Sequence, residues 1–166
     1  MDILEAMTYF GLPPTSKEFE KFLTANGIAE RPMFNQEPTE SINRFKEGFS
    51  LIFRERHGFE KAWGQPRELG EMIFSTLQVY GGVNDSGFTE FAGLLPYGLN
   101  FKTTLKQSLA IFGPPATDYE SGDEHAYVWY NHQGYTVTAA FLQQDRGISF
   151  LAIARDKKKA PEKIAW

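Results

Sequence analysis

Four carboxylates, Asp118, Glu120, Asp123 and Glu124, fall in one short stretch and run directly into His125, Tyr127, Trp129 and Tyr130. Such residues could bind calcium, hold a transition metal, move protons, or steer a basic protein onto aromatic anchors. An EF-hand calcium loop needs acids at alternate positions and Gly at the sixth. Counted from Asp118, the sixth residue is Asp123. The chain has three His, at 57, 125 and 132, and no Cys, and its sequence contains no HExxH motif, thiolate site or disulfide. His57 beside Glu55 and His125 beside Glu124 offer donors without metal-ligand spacing. His132 falls where a turn is expected, and turns favour solvated polar residues.

Phosphate-binding glycine loops of the GxxxxGK or GxGxxG type are also missing. With no nucleophile and base converging, the chain reads as a non-catalytic protein without cofactor or metal. The stretch DYESGDEHAYVWY then reads as a contact surface. Asp118, Glu120, Asp123 and Glu124 would steer a basic partner, and aromatics including Tyr119 and Trp129 would anchor it. The plainer alternative is a solvated acidic loop leading into an aromatic core strand. Phe88, in the Gly-rich loop 81–93, and Trp63, in the interrupting segment 55–70, are expected along the same rim, or else packed back onto the core.

Charge supports a protein partner rather than nucleic acid. The formal net charge is −4, and residues 155–163 alone hold five basic and two acidic residues. The remainder therefore carries −7, which repels nucleic acid and attracts a basic protein such as a nuclease-type effector. No window approaches the roughly 18 apolar residues that cross a bilayer, and the N-terminus lacks the basic and apolar regions of a signal peptide. With Met1 as the native start, the expected location is cytoplasmic.

The elements that would position these residues follow from apolar spacing. Ile3, Met7 and Phe10 share one side of a first helix that Gly11, Pro13 and Pro14 end. Thr15-Ser16-Lys17-Glu18 offers a capping box for a second helix, with Phe19, Phe22 and Leu23 on its apolar face and Gly27 at its end. Strands are expected over 42–46, 49–54 and 72–80, and again over 126–131, 135–142 and 148–154. Between them, Phe101, Leu105, Leu109 and Phe112 recur at helical spacing before Gly113-Pro114-Pro115. Gly27 and Gly113 lie 86 residues apart, and so do the turn glycines Gly48 and Gly134. The expectation is an α+β fold of two similar tandem units, each a helix on one face of a three- to four-stranded antiparallel meander. The boundaries are 1–82 for the first half, 83–97 for the connecting loop, 98–156 for the second half and 157–166 for a basic tail. The halves would be joined in one compact domain.

A family resemblance enters at LPYGLNFKTTLKQSLAIFGPP and, after the acidic segment, VWYNHQGYTVTAAFLQQDRGISFLAI. The order LP-x-GL-x-F, short helix, Gly-Pro stop, aromatic strand and two apolar strands resembles the beta-lactamase-inhibitor-protein-like fold and the small assembly lipoproteins related to it. It also resembles immunity proteins that guard bacteria against polymorphic toxins. The likeness covers residues 95–154. The absence of a lipobox Cys or export signal argues against a lipoprotein or secreted inhibitor. The resemblance therefore implies a cytosolic immunity protein that binds and neutralises a cognate toxin. The alternative is a non-catalytic adaptor, scaffold or secretion-chaperone domain.

Overall fold

The computed structural model describes residues 1–157. The basic tail, from Lys158 onward, lies outside the described residues. Short helices open the chain. In α1 (Ile3–Met7), the Asp2 carboxylate accepts from Glu5 N–H at 3.1 Å. In α2 (Lys17–Ala25), Phe19, Phe22 and Leu23 are buried, and Gly27 follows with φ +68°. The capping box expected at α2 does not form. Ser16 Oγ instead reaches Glu68 Oε1 at 3.1 Å, tying the helix start to the segment before β3.

β1 (Thr39–Arg44) and β2 (Phe49–Glu55) form a hairpin. α3 (Arg56–Trp63) then interrupts the strands, started by the Glu55 carboxylate, which accepts from His57 and Gly58 N–H. β3 (Met72–Tyr80) returns beside β2. A capping box does form at α4 (Leu105–Phe112), where Thr104 and Gln107 satisfy each other's backbone N–H groups. The helix expected from Phe101 thus starts four residues later. β4 (Thr117–Ser121), β5 (Glu124–His132), β6 (Tyr135–Phe141) and β7 (Ile148–Arg155) follow.

The expected pair of tandem helix-plus-meander units is not what forms. The seven strands among the described residues join one antiparallel sheet in the order β1-β2-β3-β7-β6-β5-β4, because β3 pairs with β7 from Thr76 opposite Ala154 to Tyr80 opposite Phe150. The physical reason lies in the two joining strands. As separate meanders, MIFSTLQVY and ISFLAIAR would each be an unpaired, strongly apolar edge, which is an aggregation hazard. Pairing them removes both edges. The helices are unequal as well. In α2 three large apolar residues are buried, whereas in α4 only Ser108 is, and Leu109 and Ile111 stay 37% and 39% exposed.

Register sorts the two faces. Leu51, Leu77, Ile153, Val137 and Trp129 form one cross-strand row, and Phe49, Val79, Leu151, Ala139 and Tyr127 form the next. This apolar face packs against α1, α2 and their flanking residues, with Phe19 5.1 Å from Phe74 and Phe10 4.8 Å from Phe74. The opposite face is small and hydroxylated, with Ser50, Gln78, Ala152, Thr138, Val128 and Thr117 in one row.

Candidate partner-binding site at the β4–β5 hairpin

The acidic segment expected as a loop is a strand. Gly122 (φ +61°) and Asp123 form a two-residue turn between Ser121 and Glu124, which lie opposite each other. The same register sets Glu120 opposite His125 and Asp118 opposite Tyr127. Because side chains alternate across a strand, Asp118 and Glu120 share the sheet face of Tyr127 and Trp129, while Thr117 and Tyr119 share the other.

His125 is held between two carboxylates. Its Nε2 lies 2.5 Å from Asp118 Oδ2 and its Nδ1 2.9 Å from Glu120 Oε1. A ring with both nitrogens facing acceptors is satisfied only as imidazolium, which donates from both. The Asp118 hydrogen bond, with Glu120 adding a second bond and both carboxylates their charge, pushes the His125 pKa above its ordinary value. The side chain is 35% exposed and its ring stacks 4.7 Å from Tyr127. With the ring protonated, one cation stands between two anions and the cluster carries a net charge of about −1. Both ring nitrogens are committed, so no lone pair is left for a metal. Among the described residues, no group of three or more His, Asp or Glu is arranged to hold one.

Beside this cluster a groove of about 500 Å³ opens between the hairpin and α4. Leu105, Leu109, Tyr127, Phe141 and Leu142 supply apolar lining, and Glu120, Asp123, Glu124 and Asp145 supply acids. Among the described residues, Lys106 is the one Lys or Arg that lines it. The far end of α4 is anchored, since Phe112 packs 5.0 Å from Trp129 and the Trp129 indole N–H donates to Gly113 O at 2.9 Å. Leu109 in mid-helix is left facing the groove instead of a core.

The expected site residues divide three ways. Asp118, Glu120, Asp123 and Glu124 do come together around the hairpin. Tyr119 and Trp63 line a second trough of about 410 Å³ on the opposite sheet face, floored by Thr76, Thr136, Thr138, Ala152 and Ala154. There the Trp63 indole N–H donates to Arg155 O at 2.8 Å, and the Arg54 guanidinium lies 5.7 Å from the ring centre. Trp129 and Phe88 stand on neither surface. Trp129 is 3% exposed, and Phe88, 8% exposed, stacks on Tyr80 at 3.8 Å. Large aromatics bury readily because each removes about 150–250 Å² from water. Sequence reasoning did not place His125, Leu105, Leu109 and Asp145 beside these acids. The signal for His125 was present, since a Gly-Asp turn closing 121 on 124 sets 120 opposite 125.

No family model matches the chain, and no curated protein matches it. A search of solved structures finds a likeness to the crystal structure of a DUF4309 family protein (YjgB) from Bacillus subtilis subsp. subtilis str. 168. The identity is 15%, with 87% of this chain and 82% of that chain covered, at a TM-score of 0.45. A likeness at that score carries no functional argument. No helix among the described residues is long and apolar enough to cross a membrane.

Proposed function

We propose that this chain is a non-catalytic protein-binding domain that neutralises a cognate toxin by direct contact, acting in the cytoplasm as an immunity protein. The observation that carries the reading is the acid-rimmed, apolar-lined groove between the β4–β5 hairpin and α4. Apolar lining supplies contact area, while fixed acids draw in a basic partner and set its orientation. A stable complex of this kind buries on the order of 1,600 Å² in total, so the groove would be its centre and the hairpin its rim.

The decisive experiment is growth protection. Cells carrying the toxin encoded by the adjacent gene should survive when this chain is co-expressed, and the two proteins should co-purify. Absence of protection overturns the reading. Reversing Asp118, Glu120, Asp123 and Glu124 to Lys should slow association at low salt by about tenfold or more, and by less at high salt, where the screening length shortens to a few Å. An association rate that ignores both the reversal and the salt moves the interface away from the hairpin.

A further inference from the structure

We propose that β4 is a strand-addition site, whose free edge takes an extended segment of a basic partner protein with Lys or Arg at every second position. This deepens the reading of the chain as a binder of a basic protein and rests on it. Among the described residues, β4 ends the sheet and pairs only with β5. In an antiparallel ladder, alternate residues of an edge strand turn their N–H and C=O outward without a partner. Among the described residues, no other segment makes a backbone hydrogen bond to Thr117–Ser121. β4 contains no Pro and its pairing with β5 runs without a bulge, so Asp118 and Glu120 are the features that guard this edge. Residues 117–120 are exposed.

The two faces of β4 specify what the added strand must carry. On one face stand Asp118 and Glu120, the latter lining the acid-rimmed groove. On the other stand Thr117 and Tyr119, bordering the second trough. A strand laid alongside would set its own alternate side chains beside these two sets, and cross-strand pairs of opposite charge or of aromatic with β-branched residues are favourable. Basic residues therefore fit one face, and Val, Thr or aromatic residues the other. The same charges reject a second copy of this chain. Antiparallel self-pairing centred on Tyr119 sets Asp118 of one copy opposite Glu120 of the other, and like charges directly opposite repel.

The test uses the full chain and a short fluorescent peptide alternating Lys and Val, at low ionic strength. Saturable binding is expected, together with amide exchange across Thr117–Ser121 slowed by about tenfold. The same peptide N-methylated at every second residue keeps its charges but loses the hydrogen bonds of one edge. It should bind about tenfold more weakly or worse. Asp118→Asn with Glu120→Gln, checked for retained fold, should weaken the unmodified peptide as well. Equal affinity for the two peptides overturns strand addition while leaving the basic-partner reading standing. No binding of either peptide also overturns it, while growth protection decides the broader reading separately. So does concentration-dependent dimerisation that protects the β4 amides in the free chain.

Discussion

At β2–β3 the sheet is covered, and at β4 it is bare. α1 and α2 bring Phe10, Phe19, Phe22 and Leu23 down on Phe53 and Phe74, and none of these six is more than 4% exposed. At the other end α4 has helical apolar spacing of the same kind, yet Leu109 is 37% exposed and β4 lies open. An amphipathic stripe thus does not decide whether a helix becomes a lid or a wall. Bulk and anchoring do. α2 inserts two phenylalanines and a leucine, whereas α4 is pinned at one end by Phe112 and Trp129 and leaves space under its middle. That space is the groove where the acids gather.

The largest effects should separate these two ends. Phe19→Ala should cost about 3–5 kcal/mol in urea unfolding, because it leaves a cavity among aromatic neighbours. Leu109→Ala should cost less than about 1 kcal/mol, as half-exposed positions do. A similar loss at both would break the contrast. The turn glycines sharpen it next. Both Gly48 and Gly134 have positive φ, +77° and +84°. A Cβ on Gly48 would sit 2.3 Å from Thr89 O and 2.5 Å from Phe91 N, while one on Gly134 meets nothing within 4 Å. Gly134→Ala should cost only the left-handed backbone term, about 1–2 kcal/mol. Gly48→Ala adds overpacking against backbone and should cost about 2–5 kcal/mol in all. Equal costs would mean that loop 89–91 yields freely.

The smallest effect concerns His125. Its folded-state pKa is raised, so the imidazolium cluster contributes stability below the unfolded-state pKa, and that contribution fades as pH climbs through the raised folded value. In an NMR titration, Asp118→Asn should lower the His125 midpoint more than Glu120→Gln, since the Asp118 bond is the larger cause. A midpoint unmoved by either substitution would dissolve the cluster as a structural feature.

Much of this was legible locally. Strands expected over 49–54 and 72–80 are β2 and β3 almost to the residue, and those expected over 135–142 and 148–154 are β6 and β7. Alternation and turn glycines are short-range signals, so they survive without knowledge of the fold. The acids at 118 and 120 were legible as a candidate surface, but not as a strand. Five residues, four of them exposed, with no apolar alternation carry no burial signal. Trp129 and Phe88 were misplaced for the converse reason, since an aromatic near polar residues does not announce which way it points.

Helix stops, hairpin turns, an apolar strand set and an acidic stretch after Pro115 are properties of neighbouring residues, and composition with spacing suffices to set them. The joining of β3 to β7, the gap beneath α4 and the seating of His125 between Asp118 and Glu120 were decided only by the folded chain. Each depends on which distant edges and faces meet. A strand buried on both sides does not encode its partner, and a histidine acquires its charge from carboxylates that register, not sequence adjacency, brings to its ring.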